Sequence, residues 1–116
     1  MLGQTYHAAL RGAGHHVQTC ATAQAAILAA DNIFPDIVVL ELQLVSHSGV
    51  EFLYEFRSYA DWQAVPVIIH SNVPVTQFVG GKSTLEQFGV ADYFYKPTTS
   101  LRTLIGAIAQ HTTVPA

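Results

Sequence analysis

Three apolar runs constrain this chain most, because each is continuous and each closes on a chemically active side chain. Ile37–Leu40 ends at the carboxylate of Glu41, Pro66–Ser71 ends at a hydroxyl, and Val90–Tyr95 is followed by Lys96 and Pro97. An apolar run without alternation suits a strand covered on both faces. Helical patterns separate the three runs, and strands alternating with helices predict a parallel sheet packed between helices. Parallel strands end at one common edge, so a carboxylate, a hydroxyl and an amine are expected to converge there. That edge is where open α/β sheets bind ligands.

The rest of the chain supports alternating elements. Leu2, Tyr6, Ala9, Leu10 and Ala13 recur at helical spacing, with Gly12 and Gly14 as the stop. His15–Cys20 alternates weakly, with β-branched Val17 and Thr19, and reads as a short edge strand. Thr22 is placed to cap an Ala-rich helix reaching about Asp31. Ser48 and Glu51 form a capping box for a helix carrying Val50, Leu53 and Phe56. Residues 72–83 read as a long loop or broken helix. Ser83 and Glu86 form a second capping box, ahead of Leu85 and Phe88. Leu101, Leu104, Ile105 and Ile108 put one apolar stripe on the last helix.

Composition excludes several classes. In 116 residues, 50% are hydrophobic and 11% charged, which argues for a single packed domain over 1–116 and against disorder. A net charge of −3 with five scattered basic residues gives no nucleic-acid footprint. One cysteine, Cys20, excludes an internal disulfide and fits a reducing compartment. The N-terminal stretch lacks a signal-peptide pattern, and no apolar run approaches membrane-spanning length, so a cytoplasmic location is expected. The six histidines form no metal-ligand pattern. His70 reads as either a hydrogen-bonded core residue or a residue lining the site.

The element order, with DIVVLELQLVSHSGVEFL, VPVIIHS and GVADYFYKP, resembles the receiver domain of bacterial two-component response regulators over nearly the whole chain. The resemblance implies a flavodoxin-like three-layer α/β/α fold. It also implies a signalling module rather than an enzyme. In that family an Asp at the end of the third strand accepts a phosphoryl group from a histidine kinase, and Glu41 stands at that position. Ser71 matches the hydroxyl that hydrogen-bonds the phosphoryl group, and Lys96 matches the cation that pairs with it. Tyr93 matches an aromatic residue that rotates on activation.

Two departures change what the resemblance implies. Glu41 is one methylene longer than Asp, and in-line phosphoryl transfer tolerates little misplacement. The same length lets it place a negative charge where a phosphoaspartate would carry its own. The family also holds Mg²⁺ with an acidic pair at the end of its first strand. Met1 begins about where that pair should end, so both strand and acids are missing. Without the ion, transfer lacks its main electrostatic support. The expectation is an atypical receiver with no cofactor, not phosphorylated in the usual way. The missing strand belongs mid-sheet, between the second and third. A start set too far downstream, a rearranged sheet, or a second copy filling the gap would each account for it, the last two favouring a homodimer.

Each site residue has a plainer reading. Glu41 and Lys96 also read as a structural ion pair, which is compatible with mimicry. Ser71 also reads as satisfying backbone, and Tyr93 as a packed aromatic. Two other classes stay open. One is a phosphoacceptor using Ser46, Ser48 or Ser71, on the likeness of residues 38–53 to the phosphorylatable segment of anti-sigma-factor antagonist (STAS) domains. The other is a nucleotide-binding protein using Lys82 and Ser83, although the full phosphate-loop pattern needs Gly where Thr76 stands. The expected partner surface is about Ser83 to Gln110, weakly charged by Lys82, Glu86, Asp92, Lys96 and Arg102. It suits a signalling protein: a histidine kinase, an output domain or another receiver.

Overall fold

Among the chain's apolar runs, those centred on residues 38–40, 67–71 and 90–95 become strands. The structure, a computed structural model, describes residues 10–12, 14–41, 49–74 and 81–112. The strands β1 (Val38–Leu40), β2 (Val67–Ser71) and β3 (Val90–Tyr95) pair in parallel in the order β1-β2-β3. The register sets Leu40 beside Ile69 and Ser71 beside Tyr95, so all three strands end at one edge. Val67 faces Val90 while Ile68 faces Asp92, which leaves Ala91 as the extra residue of a bulge.

Among the described residues the helices α1 (Ala23–Asn32), α2 (Gly49–Ser58), α3 (Gly81–Gln87) and α4 (Leu101–Thr112) cover the sheet, and residues 10–12 are also helical. Every residue of β2 is buried, and its side chains alternate between two cores. Val67 and Ile69 pack with Ile27 of α1, Phe52 and Phe56 of α2, and Leu85 of α3. Ile68 packs on the other face with Leu104, Ala107 and Ile108 of α4. This is the expected three-layer α/β/α arrangement with a parallel sheet.

Local chemistry sets the helix ends. The Ala25 amide donates to Thr22 Oγ1 at 3.1 Å, and Thr103 N to Ser100 Oγ at 3.1 Å, so each hydroxyl caps the helix behind it. Arg57, near the end of α2, fastens the next connections. Its Nε donates to Phe88 O at 2.7 Å and its Nη1 to Trp62 O at 2.6 Å. Trp62 in turn stacks on Phe56, with ring centroids 5.0 Å apart.

Two expectations are corrected. His15–Cys20 is not a strand. Alternation is a local signal, whereas a ladder needs a neighbour, and among the described residues no strand lies beside this segment. Ser83 does not cap α3 either, because the helix starts at Gly81 and takes Ser83 into its first turn. A cap contributes about 1 kcal/mol, less than burying Leu85 and Phe88, so packing places the helix. Ser48 of the other capping box, most of the expected 2–13 helix, and residues 75–80 of the expected loop lie outside the described residues.

Candidate functional site

The carboxyl edge of the sheet brings together the three groups expected there. Glu41 follows Leu40, the last residue of β1, which is buried in the core. Ser71 is the last residue of β2, and Lys96 follows β3. Behind Lys96 the chain turns in a short 3-10 helix, Lys96–Thr98, with Pro97 fixing the backbone. Thr99 Oγ1 donates to Tyr95 O at 2.8 Å and Thr99 N to Lys96 O at 3.2 Å, which holds the turn and therefore the lysine stem.

Lys96 Nζ lies 2.5 Å from Glu41 Oε1. The side chains keep only 17% and 22% of their accessible surface, respectively. Because β2 separates β1 from β3, the pair reaches across the end of the central strand. Ser71 is fully buried, and its Oγ accepts from Val73 N at 3.1 Å. Its plainer role, satisfying backbone at the strand end, is thus realised.

Tyr93 is turned inward and half-buried against the core. Its hydroxyl donates to Val73 O at 2.5 Å. Ser71 and Tyr93 therefore hold the two backbone groups of the same residue just after β2. Burial raises the Tyr93 pKa above its ordinary value, and the negative charge of Glu41 raises it further.

His70 is the group whose part in the site the sequence left open, and it is both buried and cavity-lining. It is buried in β2, and it lines the cavity beside β1 together with Glu41 and Lys96. Burial lowers its pKa below the ordinary histidine value, Lys96 lowers it further, and Glu41 opposes both. The only advance signal was its position one residue before Ser71.

The donors among the described residues do not make a Mg²⁺ site. That ion wants near-octahedral oxygen ligands with one or more carboxylates. Among the described residues no three acidic, histidine or cysteine side chains come together, and an oxygen of Glu41 is already held by Lys96. Lys82 and Ser83 lie in the first turn of α3, while Ser46, Ser48 and Thr76 are outside the described residues. No helix among the described residues is long and apolar enough to cross a membrane.

No family model matches the chain. It is 35% identical over 89 residues to the KDP operon transcriptional regulatory protein KdpE of Escherichia coli K12, a match covering 77% of this chain and 37% of that protein's length. The fold is shared with the BeF3-activated N-terminal receiver domain of Klebsiella pneumoniae RstA (TM-score 0.80, 22% identity, 96% of this chain and 89% of that one). It is shared equally with the Vibrio cholerae chemotaxis protein CheY4 (TM-score 0.79, 20% identity, 92% of this chain and 86% of that one).

Proposed function

We propose that this receiver domain of the response-regulator type acts in two-component signalling as a protein-binding module set without phosphoryl transfer. One observation carries the reading: Lys96, at the position that pairs with the phosphoryl group in the family, is held at 2.5 Å by the chain's own Glu41. The carboxylate supplies permanently the negative charge that modification would supply on demand. Its place at the strand end and the scarcity of Mg²⁺ donors among the described residues argue in the same direction. Partners are a histidine kinase, an output domain or another receiver, meeting the surface built from α3, β3 and α4.

Intact mass after incubation with acetyl phosphate and Mg²⁺ tests this. The expected result is an unchanged mass. A stoichiometric phosphoryl adduct overturns the reading and returns phosphorylation to the centre of the mechanism.

A further inference from the structure

The ion pair at the sheet edge passes over a buried histidine. Leu40 and Ile69 are register partners, so the residues after them, Glu41 and His70, are the next neighbours along the sheet. Side chains alternate along a strand, which turns both away from the α2 layer and onto the face where Ile68 meets α4. Lys96 reaches Glu41 from the far side of β2, across the His70 position. His70 keeps 4% of its surface, whereas the side chains of Lys96 and Glu41 keep 17% and 22%.

Few charges surround this imidazole. Glu41 on the β1 side and Lys96 on the β3 side are the two that act on it. From α4 the same face is met by Leu104, Ala107 and Ile108. The next titratable group along it, Asp92 beside Ile68, lies 2.8 Å from His111 of α4. Among the described residues, Glu41 is therefore the carboxylate placed between both basic groups.

With His70 neutral, the carboxylate belongs to Lys96. Protonation changes the balance. A cation buried as deeply as His70 has no water to turn to and needs an anion beside it. The ammonium has an alternative, because it is strongly hydrated, sits on a flexible aliphatic stem and keeps access to solvent. In a contest for one carboxylate the buried cation keeps it, and the one that reaches water leaves.

We propose that His70 is a proton-operated release for Lys96, in which the protonated imidazole takes Glu41 and the ammonium swings out to solvent. The proposal rests on the reading of Lys96 as a group held by Glu41, and adds the condition under which it is let go. Burial and Lys96 hold the His70 pKa below its ordinary value. The bridge is thus closed at neutral pH and opens on acidification.

NMR on the purified chain follows both groups as pH falls from about 8 to about 4.5. Imidazole nitrogen shifts report His70 protonation. Carbon relaxation at Lys96 Cε reports how rigidly the stem is held, with Lys96→Met assigning the signal. The expected result is an order parameter at Lys96 Cε that falls by about one third or more, with the midpoint of the His70 titration. His70→Leu, which fills the position with nothing to protonate, should leave Lys96 rigid through that midpoint. His70→Gln, neutral and polar, should do the same and serves if the leucine variant folds poorly. A Lys96 that stays rigid across the His70 midpoint overturns the release alone. So does a fall of the same size and midpoint in a folded variant, or a His70 that is still neutral at about pH 4.5. A Lys96 already mobile at about pH 8 overturns the functional reading as well, because no bridge would then exist to open.

Discussion

Replacing Glu41 by Gln keeps the shape of the side chain and removes its charge, so the change isolates the ion pair with Lys96. The structure brackets the cost. Exposed pairs contribute about 0–1 kcal/mol, whereas breaking a fully buried one costs about 3–5 kcal/mol because the remaining charge is stranded. Here the two side chains are about one-fifth exposed and the contact is 2.5 Å. Lys96 would keep access to water, so Glu41→Gln is expected to cost about 1–2 kcal/mol. For a domain between the usual size classes that is a fall of about 3–10 °C in melting temperature. Urea unfolding of the wild type, Glu41→Gln, Lys96→Met and the double variant closes a cycle. The expected coupling is about 1–2 kcal/mol with an unchanged m-value. It should persist in 1 M salt, because partly buried pairs are weakly screened. A coupling under about 0.5 kcal/mol, or one that vanishes in salt, would refute the view that the pair holds the sheet edge.

Three other expectations follow from the same geometry. Arg57→Met removes two short charge-assisted hydrogen bonds to carbonyls and should cost about 2–4 kcal/mol in urea unfolding; Arg57→Lys should recover little, since one ammonium does not reproduce the guanidinium fork, and a loss under about 1 kcal/mol counts against the clamp. His70 has a folded pKa below its unfolded value of about 6.5, so protonation favours the unfolded chain. Stability should be complete above that value and decline as pH falls from it toward the folded pKa. Glu41→Gln, by removing the opposing charge, should lower the His70 pKa further in an NMR titration; a rise would contradict the site's electrostatics. Tyr93→Phe removes the bond to Val73 and should cost about 1 kcal/mol. Because the folded pKa of Tyr93 is raised, wild-type stability should be intact below about pH 10 and be lost as pH rises through the folded value, with a shallower alkaline decline in the variant.

The strands and the meeting of Glu41 with Lys96 were readable from the sequence because continuous apolar runs have few alternatives. Once the sheet is parallel, the residue after each strand can only lie at the shared edge. Thr22 was readable because a cap is local. What escaped was non-local. The Arg57 clamp joins residues 31 apart, and the bond from Tyr93 to Val73 joins residues 20 apart, neither announced by spacing. His111 Nε2 and Asp92 Oδ2, 2.8 Å apart, meet for the same reason. The expectation for His15–Cys20 failed on the same point, since alternation gives a segment two faces but not a neighbour. At Ser83 two local signals competed, and the buried side chains of α3 outweighed the hydroxyl.

The strand order β1-β2-β3 is also the order of synthesis. Among the described strands each joins at the edge of the one before, and none of the three has to be inserted between two already paired. Loop closure is then needed only between successive strands, which keeps the entropic barrier of a parallel sheet low. Such a sheet can assemble from its N-terminal side as the polypeptide leaves the ribosome. Of the three described strands β1 is made first, so it waits longest for a neighbour while the other two are still being made.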